Sequence, residues 1–140
     1  MASNSSAVVR GTSRLDTTLA ISVENRPPAA IVSVVGELDL TTAPELHQAL
    51  TGLVDDGWRY LIVDLARLEF CDSSGLSVLV RVKNRLDEVG GEVTLAAPTP
   101  IVQRVLEVSG LAEVFGTYPS VDEATAAGSG SVTGRAVRDR

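Results

Sequence analysis

Short apolar runs rich in β-branched residues alternate with helical periodicities along this chain, and that alternation leaves few folds open. Ile31–Val35 and Tyr60–Leu65 are runs of five and six residues, the length of buried strands and too short for buried helices. Val93–Ala97 is a third such run. Upstream, Leu19, Ile21 and Val23 alternate with Ala20 and Ser22 as in a strand, and Pro27-Pro28 supplies a turn into Ile31–Val35, which Gly36 ends. Between the runs lie helix patterns. Thr42-Ala43-Pro44-Glu45 reads as a helix start, with Thr42 as cap, Glu45 completing a capping box and Pro44 in the first turn. Leu46, Ala49, Leu50, Leu53 and Val54 then form one amphipathic stripe, closed by Asp55-Asp56-Gly57. A second helix opens at Asp72-Ser73-Ser74, carries Leu76, Leu79, Val80, Leu86 and Val89, and stops at Gly90-Gly91. A third runs from Pro100 to Gly110, and Ser120 caps a last short one through Ala127. Residues 66–71 read as a loop, and Leu111–Phe115 as a short turn or strand. The order β-β-α-β-α-β-α-(β)-α predicts one α/β domain: a mixed, mostly parallel sheet with helices packed on it and an antiparallel first hairpin.

The 140 residues are a length for one domain, and 44% hydrophobic content is enough for a packed core. Residues 1–14 and 128–140 show no hydrophobic period and read as disordered arms, which leaves 15–127 as the domain. That central part holds seven basic and seventeen acidic residues, a net of −10. Such a charge repels phosphate backbones, and aromatic residues are only 4% of the chain, so nucleic acid is not the expected partner. The first apolar runs are too short for a signal peptide or a membrane span. The chain therefore reads as a soluble cytoplasmic protein. A single Cys, Cys71, and a single His, His47, leave little material for a metal site, and neither a metal nor a cofactor is expected.

The most informative stretch is Tyr60–Val80. A buried strand ends at Asp64-Leu65, and Asp72-Ser73-Ser74-Gly75-Leu76 opens the next helix. In parallel α/β folds function collects in the loops at the carboxyl ends of strands. On residue types alone these serines read first as helix caps. A Ser there also sits at the positive end of the helix dipole, where a phosphate is accommodated without melting the helix. Enzymatic readings fare worse. A serine hydrolase needs a base and a G-x-S-x-G elbow; here the sequence is C-D-S-S-G, and His47 falls in another helix. A receiver-type phospho-Asp site would need an acidic cluster beside Asp64 and a Lys at a later strand end, whereas Lys83 is mid-helix. No G-x-x-x-x-G-K-[ST] occurs.

Gly36–Leu46 (GELDLTTAPEL) together with Leu61–Leu86 (LIVDLARLEFCDSSGLSVLVRVKNRL) resembles the anti-sigma factor antagonist family, the stand-alone STAS domains of bacteria. The resemblance covers roughly Leu19–Ala127 and implies a STAS-type fold without catalysis of its own. It implies that Ser73, the first Ser after the motif Asp, is phosphorylated by a cognate anti-sigma serine kinase. The unphosphorylated form would bind that anti-sigma factor and free the sigma factor, and a PP2C-type serine phosphatase would reverse the block. Asp72, Ser74 and Gly75 flank the site, Gly75 keeping the approach uncluttered. Gly36, Glu37 and Asp39 belong to a loop implied to lie beside it, with Asp39 and Thr41 as contacts. The implied state is a monomer or weak dimer, with no membrane partner. A different role for the same domain is a scaffold subunit of a larger stress-signalling assembly. Cys71 stands where the family usually has Met or Ile, and packs as a small hydrophobe.

Overall fold

In this computed structural model residues 6–9 and 19–127 are described. Strand β1 is Ser6–Val9, β2 Leu19–Arg26 and β3 Ala29–Leu38. Helix α1 spans Ala43–Asp55, followed by β4, Tyr60–Asp64. Then come β5, Leu68–Cys71, and α2, Ser73–Glu88. Strand β6 is Glu92–Ala96, α3 Pro100–Ser109, and after a 3-10 turn at Leu111–Glu113 β7 is Gly116–Tyr118. Residues 121–127 form α4.

One sheet runs in the order β1-β2-β3-β4-β6-β7, and β5 joins it by pairing with β3. The β2–β3 hairpin is antiparallel, as is β1–β2, while β3–β4, β3–β5, β4–β6 and β6–β7 are parallel. The mixed, mostly parallel α/β sheet expected from the alternation is therefore present. Its strands bury both faces, as parallel sheets do. Val32, Val63 and Leu95 point into the larger core beneath α1, α2 and α3, with Leu46, Leu79 and Leu106 from the helices. Ile31, Ile62 and Ala96 point the other way, against Ala124 of α4.

Three local expectations change. The arm 1–14 was expected to carry no element, yet Ser6–Val9 pairs with β2; the remainder of that arm, and the tail 128–140, lie outside the described residues. Residues 66–71 are not all loop, because Leu68–Cys71 is a strand. The capping box at α1 does not form. Thr42 gives no side-chain cap; its hydroxyl accepts from Asp39 N (2.9 Å) and donates to the Glu37 carbonyl (2.9 Å). The turn into α1 is closed instead by Asp39, whose Oδ1 accepts from the backbone N–H of Thr41 (2.9 Å) and Thr42 (3.1 Å).

Candidate functional site

Strand β3 is long enough to serve two partners in succession. Ala29–Ser33 pairs with β4, and beyond a bulge at Gly36/Glu37 the same strand pairs with β5. Gly36 has φ +117, a backbone conformation that Gly adopts without strain, so the strand passes through it rather than ending there. Gly36–Leu38 is therefore strand, and only from Asp39 does the loop expected around these residues begin. Glu37 lies opposite Phe70 and Leu38 opposite Cys71, and Asp72 N donates to the Leu38 carbonyl at 3.1 Å. Two segments more than thirty residues apart thus meet as neighbours at the carboxyl end of the sheet.

Helix α2 starts at this junction. Asp72 is its N-cap: Oδ1 accepts from Ser74 N (2.8 Å) and Gly75 N (3.3 Å). With that role filled by Asp72, Ser73 is released from it. Ser73 is the first residue of α2, exposed, and its hydroxyl makes no hydrogen bond among the described residues. Ser74 is half-buried and Glu37 and Thr41 are exposed, while Gly36, Asp39 and Asp72 are partly covered. Gly75 is a correction. It was expected to keep the outer approach open, but it is buried and faces inward. A Cβ there would lie 2.6 Å from Leu38 Cγ and Cδ2 and 3.0 Å from Cys71 Sγ, so its missing side chain lets α2 sit on β3 and β5.

Three carboxylates, Glu37, Asp39 and Asp72, lie on the two segments that meet at this junction. Cys71 is buried beneath it at 2% exposure. Burial first, and the charge of Asp72 second, push its thiol up to about 11, so at neutral pH it is a packed neutral group. Two exposed apolar side chains flank the junction and were not singled out from the sequence: Leu40, 75% exposed, and Phe70, 44% exposed. The signal available for Leu40 was an apolar residue inside an otherwise polar turn. Among the described residues no group of His, Cys, Asp and Glu could hold a metal ion, and no helix is long and apolar enough to cross a membrane.

The STAS domain family profile matches residues 20–124, which include every element of this site. An anti-sigma factor antagonist from Mycobacterium paratuberculosis, of known structure, is 35% identical, with a TM-score of 0.73 over 82% of this chain and 97% of that one. The chain belongs to the STAS-domain family of anti-sigma factor antagonists. Similarity to BtrV of Bordetella bronchiseptica is 35% identity over 97 residues, covering 69% of this chain and 84% of BtrV. The anti-sigma factor antagonist SpoIIAA, in its unphosphorylated form, is 25% identical with a TM-score of 0.71, covering 79% of this chain and 96% of that one. The order of strands and helices around Ser73 is thus that of a STAS antagonist domain.

Proposed function

We propose that this protein acts by binding an anti-sigma serine kinase, and that phosphorylation of Ser73 switches the binding off. The observation that carries the reading is the division of labour at the start of α2: Asp72 caps the helix, and the Ser73 hydroxyl is left exposed and unpaired. A serine needed only as a cap would have its oxygen on the backbone N–H groups. SpoIIAA supports the reading from outside, since it has been solved in unphosphorylated and phosphorylated forms.

The mechanism rests on charge. A phosphate adds about −1.5 to −2 charges at neutral pH. At the helix N-terminus it is tolerated, with about 0.3–1 kcal/mol in its favour from the dipole, so the fold survives modification. The interface does not. Glu37, Asp39 and Asp72 already bring negative charge to the segments that meet at Ser73, and the partner holds nucleotide phosphates near the same hydroxyl. Like charges brought together at an interface cost several kcal/mol, and each ~1.4 kcal/mol is tenfold in affinity. Binding of the phosphorylated form falls by about 100-fold or more. A PP2C-type phosphatase restores it, and the chain itself turns over nothing.

The test begins with a pull-down from the native cell and purification of the small ATP-binding kinase recovered. Wild type accepts phosphate from ATP and Ser74→Ala does too, while Ser73→Ala accepts none but binds as wild type. Ser73→Asp melts normally and binds poorly. Label on Ser73→Ala, or undiminished binding by the phosphorylated protein, overturns the assignment.

A further inference from the structure

Beside Ser73 a groove opens whose lining carries one cation and no carboxylate among the described residues. The groove, of about 350 Å³, starts at Ser74 and runs between the first halves of α1 and α2. Leu40, Pro44 and His47 line it from one side, Ser77 and Arg81 from the other, and among the described residues none of its lining is acidic. Arg81 is exposed and makes no ion pair among the described residues. Its neighbours on α2 are engaged: Lys83 with Asp87 at 2.8 Å, and Arg85 with Asp55 of α1. In a domain of net charge −10 this leaves a cationic spot beside an open apolar rim, where Leu40 is 75% exposed.

We propose that this groove is a second contact surface. It takes an amphipathic segment of the anti-sigma factor, placing an acidic side chain on Arg81 and an apolar one on Leu40 and Pro44. The inference rests on the partner assigned above. Charge complementarity decides the occupant. A segment suited to the carboxylates of Glu37, Asp39 and Asp72 is basic, and a basic segment is repelled by Arg81. An acidic group aimed here fixes the partner's register as well as its affinity. Arg81 lies eight positions after Ser73, about 12 Å along the helix axis. The groove selects which partner docks, and Ser73 decides whether it stays.

The kinase recovered on the wild-type protein, purified, is the probe, and isothermal titration is the readout. Arg81→Ala binds about 3- to 10-fold more weakly than wild type, and Arg81→Glu about 30-fold or more. Arg104→Glu, an equal charge change at an exposed position of α3, binds as wild type. Ser77→Glu puts a carboxylate into the groove from the same helix and weakens binding as Arg81→Glu does, which keeps the test open if one variant misfolds. Exchange of an acidic surface residue of the kinase for Lys restores binding to Arg81→Glu. Affinity of Arg81→Glu and Ser77→Glu within twofold of wild type, with Ser73 still phosphorylated, overturns this inference alone. A wild-type protein that neither binds the kinase nor accepts its phosphate overturns the Ser73 reading and the groove with it.

Discussion

Glu45 shows how a residue expected to help a helix can cost it stability. Expected as the reciprocal partner of a Thr42 cap, it has instead a buried Oε1 without a hydrogen-bond partner. Burial raises its carboxyl above the ordinary glutamate value of 4.5, because desolvation disfavours the charged form. The folded pKa therefore exceeds the unfolded one. Below the ordinary value both states are protonated and nothing is lost. As pH rises through the ordinary value and then the raised one, the unfolded state ionises first and stability falls. Glu45→Gln is expected to melt higher than wild type at neutral pH, and the advantage disappears near pH ~3, where the Glu45 carboxyl is protonated in both the folded and the unfolded state. Thermal melts at the two pH values check this; an equal gain at both would locate the effect in packing. Cys71 gives a second residue-scale expectation. Buried, and with its thiol held up to about 11, it should resist Ellman's reagent in the native protein at neutral pH and react at once in urea.

At the scale of the element, two glycines inside helices make opposite predictions. Gly52 of α1 has nothing within 4 Å of the position a Cβ would take, so Gly52→Ala should stabilise by about 0.4–1 kcal/mol through the unfolded chain. A Cβ on Gly75 of α2 would lie 2.6 Å from Leu38, which is fully buried and would have to shift within the core, so Gly75→Ala should destabilise by about 1–3 kcal/mol. Urea titrations of the pair read the sign directly. The seat of α2 depends equally on its apolar face. Leu79 is 2% exposed, and Leu79→Ala is expected to lose about 2–5 kcal/mol. A loss under ~1 kcal/mol would place Leu79 outside the core. Thr99 ties the next element in: its hydroxyl accepts from Val102 N at the start of α3 and donates to the Leu68 carbonyl of β5 at 3.1 Å.

For the whole molecule, every described buried side chain lies between Leu19 and Ala124. A chain of residues 15–127 should therefore keep cooperative unfolding. It loses β1, which leaves β2 as the sheet edge, so its melting temperature should drop by no more than a few degrees. Loss of the cooperative transition would show that the deleted residues contribute to the core. Gel filtration tests assembly at the same scale. An antagonist that works by one-to-one binding runs as a monomer or small dimer, and a scaffold role would give a large complex.

The sequence by itself determined what is periodic and local. The apolar stripes of α1, α2 and α3 and a helix start within Asp72-Ser73-Ser74 were legible because each depends on residues within a few positions of one another. So were the central strands and the antiparallel hairpin, from runs and turn residues. The Ser73 motif could be read as well, but not whether its hydroxyl was the cap, since three consecutive residues there can all cap a helix. Tertiary structure decided that, and it decided the junction around it. Strand β5 has only four residues, with Leu68 and Cys71 buried and Glu69 and Phe70 exposed, a spacing of three rather than the alternation of a strand. It becomes a strand because β3 continues past Gly36 and offers it a free edge. The Thr42 hydroxyl likewise left its expected helix role for the Glu37 carbonyl, and Gly75 turned inward onto Leu38. These outcomes depend on register between segments distant in sequence, and local periodicity carries no information about register.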